Sequence, residues 1–245
     1  MIEPLALLRK PAEFLWRHRW SAPLALAAAG CFLELSSEVR EDELGAFDAR
    51  GAALITRWRG ELDVPMLGLT TLGDVKTMCV ITVVVCAVLV ATRRQREAGF
   101  VAACATGALL MNTLLKLFFQ RARPDGTIGY LIDAPTSFSF PSGHAMGSMG
   151  VLASLVVLTH ALRVPRAVRA LVLVLAAILV VGIAASRVYF GVHFPSDVLG
   201  GLLAGAAWVS AVTGCFYPQL LPGERASLAP DPPRSGQPSD GGHRY

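Results

Sequence analysis

Six stretches of the sequence contain no aspartate, glutamate, lysine or arginine, and this pattern restricts the possible folds more than any other feature. The stretches are residues 20–33, 77–92, 98–115, 145–159, 171–185 and 198–217. A helix that crosses the hydrocarbon core of a bilayer needs about 20 predominantly apolar residues. The pattern therefore predicts an all-α, polytopic membrane protein with a bundle of six transmembrane helices. Extended to their flanking charges, the predicted spans are 20–36, 75–92, 98–119, 144–162, 167–187 and 197–217.

The overall composition excludes two other classes of protein. With 53% hydrophobic and 16% charged residues, the chain is too apolar for a disordered protein. It is also too poor in charge for an ordinary soluble domain, in which about a quarter of the residues are charged. We expect a cytoplasmic N-terminal segment at 1–19, the six-span domain at 20–217, and a disordered cytoplasmic tail at 218–245 that is rich in Pro, Gly, Ser and Asp.

The basic residues are distributed by membrane side and do not form a single patch. With the N-terminus in the cytoplasm, the predicted cytoplasmic segments carry a net charge of +7 and the rest of the chain carries −3. This asymmetry is the one that the positive-inside rule describes. We therefore expect a multi-pass protein of the cell membrane with both termini in the cytoplasm. The pI near 9.0 requires no nucleic-acid partner.

Two of the predicted extracytoplasmic segments are long. In 37–74, apolar residues recur at helical spacing, which predicts either an amphipathic helix at the membrane interface or a cap over the bundle. These residues are Phe47, Leu54, Ile55 and Trp58. Pro65 and the Gly68 and Gly73 that follow indicate a break before the second span. The second long segment, 120–143, is of a length that is usually functional or disordered.

Three polar clusters lie at the predicted extracytoplasmic ends of spans three to six. The first runs from Lys116 to Pro124 and the second is Pro141-Ser142-Gly143-His144. The third combines Ser186-Arg187 with His193 and Asp197. The topology brings these span ends to one side of the membrane, so we expect the clusters to converge.

The residue types in these clusters suit a phosphoryl group. A phosphoryl group in transfer spreads negative charge over three oxygens, so positioned cations and N–H donors supply most of the catalysis. Lys116, Arg123 and Arg187 supply the cations. Ser142 lies at the N-cap of span four, and Gly143 allows a close backbone approach to an anion at that helix N-terminus.

The two histidines differ in what lies beside them. His193 and Asp197 are four residues apart, which is one helical turn. If Asp197 accepts the Nδ1 proton of His193, then Nε2 is an unprotonated nucleophile. His144 remains as the general acid for the leaving oxygen. With three cations present and one carboxylate, we expect neither a metal nor another cofactor.

Single members of these clusters have ordinary structural explanations. A cation at a span end commonly extends to the interface, and a Ser-Gly pair commonly caps a helix. We expect Arg121 to be a surface charge and Asn112 to pack between helices. It is the convergence of the clusters that favours a site.

The three clusters resemble the signature of the type 2 phosphatidic acid phosphatase family, which reads Lys-x6-Arg-Pro, Pro-Ser-Gly-His and Ser-Arg-x5-His-x3-Asp. The resemblance implies a six-helix, metal-independent membrane lipid phosphatase. It also implies a phosphohistidine on His193, activated by Asp197, and protonation of the leaving group by His144. The residues that it assigns to phosphate binding are Lys116, Arg123, Ser142, Gly143 and Arg187. Soluble vanadium haloperoxidases share this type of site, but six membrane spans argue against them.

The expected function is hydrolysis of a lipid phosphate or diphosphate at the extracytoplasmic face. The candidate substrates are undecaprenyl diphosphate, phosphatidic acid and phosphatidylglycerophosphate, and the motifs do not choose among them because they contact only the phosphate. The expected partners are that lipid and the bilayer. The alternative is a non-catalytic binder or transporter of lipid phosphates, against which the presence of His144, His193 and Asp197 argues.

Overall fold

The computed structural model describes residues 21–124, 132 and 136–220, and this part of the chain is entirely helical apart from its connections. The predictions for 1–19 and for residues beyond 220 lie outside the described residues. The helices are α1 (Ser21–Glu41), α2 (Gly45–Thr56), α3 (Asp63–Leu72), α4 (Val75–Ala91), α5 (Gln95–Phe119), α6 (Gly143–Ala161), α7 (Arg166–Tyr189) and α8 (Pro195–Leu220). The last helix extends to Leu220, three residues into the segment expected to be a disordered tail.

The predicted membrane architecture is confirmed as an all-α bundle. Five helices, α1 and α5 to α8, are long and apolar enough to cross a bilayer, and the sixth span exists if the bent pair of α3 and α4 is counted as one. The axes of that pair differ by 52°. Helix α1 continues to Glu41, so it is longer than the predicted span at 20–36.

The bend between α3 and α4 lies at Gly73, where a break was predicted. A Cβ on Gly73 would lie 2.2 Å from Cγ2 of Ile183, so the close contact with α7 leaves room for glycine only. Pro65 does not interrupt a helix. It lies in the first turn of α3, where a missing backbone N–H removes no helical hydrogen bond.

Helices α6 and α8 form the centre of the bundle. Helix α8 packs against α1, α5 and α6, and α6 packs against α5, α7 and α8. Phe100, Val101 and Cys104 of α5 are completely buried in the core between these helices. Many leucines and valines on the outer faces of α4, α5 and α7 are exposed, as expected for side chains that face lipid.

Within the segment 37–74, helix α2 forms a cap over the bundle, which was one of the two predicted forms. Ala52 of α2 packs with Ala184 and Val188 of α7 and with Val198 of α8. A Cβ on Gly51 would lie 2.8 Å from Cγ of Pro195, so α2 lies directly on the first turn of α8. The cap therefore covers the ends of the two helices that carry the third polar cluster.

Candidate active site

The three polar clusters meet around one cavity of about 530 Å³ at the capped end of the bundle. Six of the eight predicted site residues line this cavity: Lys116, Arg123, Gly143, His144, Arg187 and His193. The other two, Ser142 and Asp197, are completely buried behind its wall. Asp74, which precedes α4, also lines the cavity, so the wall carries a carboxylate that the sequence did not indicate.

His193 and Asp197 form a hydrogen-bonded pair. His193 lies in the short connection between α7 and α8, and its Nδ1 is 3.2 Å from Oδ2 of Asp197 in the first turn of α8. The backbone N–H of Phe194 donates to the same oxygen at 2.8 Å, and the Ser139 hydroxyl donates to it as well. A carboxylate only accepts hydrogen bonds, so the hydrogen of a neutral His193 belongs on Nδ1 and the lone pair on Nε2.

The local environment keeps His193 neutral. Burial lowers the pKa of His193 to about 4, and the hydrogen bond and charge of Asp197 oppose this effect only in part. A histidine with this pKa has a free lone pair at pH 7. Its Nε2 is 3.2 Å from Nη1 of Arg123. A phosphoryl group bound by Arg123 would therefore lie close to the lone pair on Nε2.

Arg123 and Lys116 are held by backbone carbonyl groups of the segment before α6, and Arg123 also by one from the connection between α7 and α8. Arg123 donates from Nε to the carbonyl oxygen of Ser137 at 2.8 Å and from Nη1 to that of Val192 at 2.6 Å. The Lys116 ammonium donates to the carbonyl oxygen of Phe138. Both side chains line the cavity, so their charges can act on an anion that binds there.

Two buried donors have no hydrogen-bond partner among the described residues: Nε of Arg187 and Oγ of Ser142. Arg187 donates from Nη1 to the hydroxyl of Thr70 on α3. Buried polar groups without a partner are uncommon in proteins and require a specific explanation. An anion in the cavity would provide acceptors for donors of this kind.

The N-terminus of α6 is fixed by neighbouring helices. The N–H of Ser142 donates to the carbonyl oxygen of Asp197 at 2.9 Å, and the Ser142 hydroxyl makes no capping hydrogen bond. A Cβ on Gly143 would lie 3.0 Å from Oδ1 of Asn112. Asn112 is itself buried, as expected, and donates to the carbonyl oxygen of Pro141 at 3.1 Å. The first N–H groups of a helix have no partner within the helix, and such groups commonly bind anions.

His144, in the first turn of α6, lies against the cap. Its side chain has the Thr70 backbone as a hydrogen-bond partner, and its Cδ2 would be 3.2 Å from a Cβ on Gly73. The two histidines therefore line one cavity from different helix ends, and Asp197 is hydrogen-bonded to His193.

The expectation that Arg121 is a surface charge is wrong. Its side chain is 15% exposed and bridges two buried carboxylates, with Nη1 at 2.7 Å from Oδ1 of Asp197 and Nη2 at 2.8 Å from Oδ2 of Asp48. Asp48, on the cap helix α2, is 4% exposed. No local sequence pattern marks this pair, because its members are 73 residues apart.

Comparisons with known proteins identify the family of this chain. Residues 96–220 match the model of the PAP2 superfamily. The chain is 30% identical over 188 residues to phosphatidylglycerophosphatase B of Bacillus subtilis, a match that covers 75% of this chain and 90% of that protein. It is 36% identical over 115 residues to decaprenylphosphoryl-5-phosphoribose phosphatase of Mycobacterium tuberculosis, which covers 46% of this chain and 58% of that protein.

A solved structure has the same fold. The crystal structure of a transmembrane PAP2-type phosphatidylglycerolphosphate phosphatase from Bacillus subtilis superimposes with a TM-score of 0.72 at 27% identity, covering 80% of this chain and 96% of that one. The matched region contains all three polar clusters. The chain therefore belongs to the PAP2 superfamily and is a membrane lipid phosphatase.

Proposed function

We propose that this protein hydrolyses the phosphate or diphosphate group of a membrane lipid at the extracytoplasmic face, through a phosphohistidine on His193 and without a divalent metal. The observation that carries the proposal is the environment of His193. Its Nδ1 hydrogen-bonds to Asp197, and its Nε2 faces a cavity beside Arg123. This arrangement leaves a neutral nucleophile next to a cation that can bind phosphate oxygens.

In the first step the Nε2 lone pair of His193 attacks phosphorus. The N–P bond forms, the bond from phosphorus to the lipid oxygen breaks, and His144 gives its proton to the departing oxygen. The positive charge that develops on the imidazole is stabilised by the Asp197 carboxylate, which accepts its Nδ1 hydrogen at 3.2 Å.

In the second step a water molecule attacks the phosphohistidine. His144, now neutral, takes a proton from that water, the new O–P bond forms, and the N–P bond breaks to release inorganic phosphate. His193 recovers its lone pair and His144 its proton, so the enzyme returns to its starting state.

The charge on the transferring group is stabilised by side chains and by the N-terminus of α6. Lys116, Arg123 and Arg187 line the cavity together with Gly143, and Asp74 offsets one of the three positive charges. In the described part of the chain, no three His, Cys, Asp or Glu side chains are grouped so that they could hold a metal ion. We expect full turnover in excess EDTA, and a requirement for Mg²⁺ that titration restores would contradict this account of the charges.

An apolar groove supports a lipid as the leaving group. A cleft of about 170 Å³ lies between α4, α5 and α6, and Asn112 and Gly143 line both this cleft and the phosphate cavity. Thr82, Ala105 and Leu109 line the cleft farther from the phosphate cavity. A chain attached to the leaving oxygen could extend from the phosphate into this groove.

Gly147, on the wall of the groove, provides a test of this role. A Cβ at Gly147 meets no atom within 4 Å, so Gly147→Leu should fold and fill the groove. We expect a loss of about tenfold or more in kcat/KM for a long-chain lipid phosphate and little change for p-nitrophenyl phosphate. Gly30→Leu, at an exposed glycine of α1 with equally open surroundings, is the matched control. Equal effects on both substrates would argue against the groove.

The identity of the lipid is best approached with a panel. The relatives are named for phosphatidylglycerophosphate, decaprenylphosphoryl-5-phosphoribose, undecaprenyl diphosphate and lipid A 1-phosphate. Phosphate release by the purified protein should be measured for these lipids and for phosphatidic acid, with His193→Ala as the inactive control. Binding without release from any of them would favour the alternative of a non-catalytic lipid-phosphate binder or transporter.

A further inference from the structure

Behind His193, on the side away from the cavity, four residues from three segments form a buried polar network. Arg121 donates to Oδ1 of Asp197 at 2.7 Å and to Oδ2 of Asp48 at 2.8 Å. Asp48 also accepts from the backbone N–H of Ser196 at 2.8 Å and from its hydroxyl at 2.7 Å. The Arg121 guanidinium lies over the ring of Phe194, 4.3 Å from its centroid.

The network gives the two oxygens of Asp197 different partners. Oδ1 accepts from Arg121, while Oδ2 accepts from His193, Ser139 and the Phe194 backbone. Asp197 is completely buried, and a buried carboxylate without a cation carries a large free-energy cost. Arg121 meets this need by donating from Nη1 to Asp197, while its Nη2 donates to Asp48. The rigid guanidinium fork is thus held at both nitrogens and fixes the position of the charge behind Asp197, which a single-point cation would not do.

We propose that Arg121 and Asp48 are positioning residues that fix the orientation of the Asp197 carboxylate and balance its charge, so that His193 stays neutral and directed at phosphorus. The proposal rests on the proposed function, in which His193 is the nucleophile. It also gives the cap helix α2 a role in the site, because Asp48 is the contribution of α2 to this network.

The charges around His193 are divided between its two sides. The groups on the cavity side are Lys116 of α5, Arg123 of the following segment, Asp74 before α4, His144 of α6 and Arg187 of α7. The groups behind it are Asp197, Arg121 and Asp48. The back of His193 thus faces two carboxylates and one cation, and a change to any one of these should alter the pH at which the His193–Asp197 pair takes up a proton.

Removing Arg121 and removing Asp48 should have opposite effects on this proton. In Arg121→Gln, no cation balances the negative charge of Asp197. The His193–Asp197 pair therefore takes up a proton at a higher pH, and below that pH His193 is not a nucleophile. An opposite charge in contact shifts a carboxylate pKa by about one to three units, so the acid limb of activity should move up by about one to three pH units. In Asp48→Asn, Arg121 loses its second anion and opposes protonation more strongly, so the limb should not move up.

The measurement is kcat/KM of purified variants on one lipid phosphate between pH 5 and pH 8. The ratio of variant to wild type is taken at each pH, because the titration of the substrate phosphate cancels in that ratio. For Arg121→Gln we expect the ratio to fall by about two- to fifty-fold between pH 7 and pH 5, for a shift of about one to three pH units, whereas for Asp48→Asn it should stay level or rise. Both variants break the same Arg121–Asp48 contact, so a purely structural role predicts parallel profiles. Parallel profiles would overturn the proposal.

Conservative and surface variants complete the experiment. Arg121→Lys keeps the charge without the fork, so it should restore the pH profile but not the full kcat. Should Arg121→Gln fail to fold, Arg121→Lys and Asp48→Asn decide the outcome, because an upward-shifted limb in either contradicts the proposal. Arg50→Gln and Glu43→Gln, at exposed positions in or next to α2, control for a change of charge on the cap. If the wild type releases no phosphate in the same assay, or if His193→Ala remains active, the result counts against the proposed function instead.

Discussion

Among single residues, the difference between the two cavity histidines is the most informative. Asp197 lies 3.2 Å from Nδ1 of His193, while His144 has the Thr70 backbone as its partner. Only the histidine with a carboxylate behind it gains stabilisation of the positive charge that nucleophilic attack creates. The other suits a proton donor that must return to its neutral form in each cycle.

This difference predicts how each variant depends on the leaving group. His144→Ala removes acid assistance, which is typically worth about 10²- to 10⁴-fold and matters most for a lipid alkoxide. Its defect in kcat/KM, which reports the phosphorylation step, should shrink markedly on p-nitrophenyl phosphate, because nitrophenolate leaves without a proton. The His193→Ala defect should be equally severe on both substrates. If sensitivity to the leaving group follows His193 instead, the two assigned roles are reversed.

The sequence is a good guide to residues whose role follows from local spacing. The eight predicted site residues come together because each lies at a helix end or in a short motif that the span pattern orients. Local spacing does not identify Arg121, Asp48 or Asp74 as residues of the site. Their surroundings depend on how α2 and α4 pack against α8 and α5, and a charged residue beside an amphipathic helix has the same sequence pattern whether it faces water or a buried partner.

At the scale of helices, the bend between α3 and α4 places α3 beside the candidate site. Gly73 lies at the bend, against Ile183 of α7 and near His144, and α3 also supplies the Thr70 hydroxyl to Arg187. The sequence predicts a break at Gly73 but not the angle of 52°, because that angle is set by contact with α7. Helix α3 therefore contacts both Arg187, a proposed phosphate-binding residue, and His144, the proposed general acid.

The contact at Gly73 predicts a steric effect of a single methyl group. Gly73→Ala places a Cβ 2.2 Å from Ile183, so α3 must shift. We expect a loss of about 1–3 kcal/mol in stability, measured by thermal unfolding in detergent, together with a loss of activity. The control is Gly68→Ala on the same helix, where a Cβ meets nothing within 4 Å and stability should stay level or rise.

A second variant tests the cause of that effect. In an Ile183→Ala background the clashing Cγ2 is absent, so adding Gly73→Ala should cost less than it does in the wild type. A Gly73→Ala variant that behaves like Gly68→Ala, or a cost that is unchanged without Ile183, would show that the close approach of α3 to α7 is not what requires glycine.

For the whole molecule, the charge asymmetry predicts which side of the membrane carries the cavity. The exposed residue Glu61 lies between α2 and α3 at the capped end, and Gln95 begins α5 at the opposite end of the bundle. In a variant without the five native cysteines, Glu61→Cys should react with an impermeant thiol reagent in intact cells and Gln95→Cys should react only after permeabilisation. The reverse pattern would move the chemistry to the cytoplasm.

The central claim is that phosphate passes through His193, and rapid quenching of the enzyme with [³²P]-labelled lipid phosphate tests it most directly. The account predicts an acid-labile, alkali-stable phosphoenzyme within the first turnover, carried by the peptide that contains His193. It predicts no such species in His193→Ala, and in His144→Ala a phosphoenzyme that forms from p-nitrophenyl phosphate and decays slowly. Label on any other residue, or phosphoenzyme that persists in His193→Ala, would contradict the account.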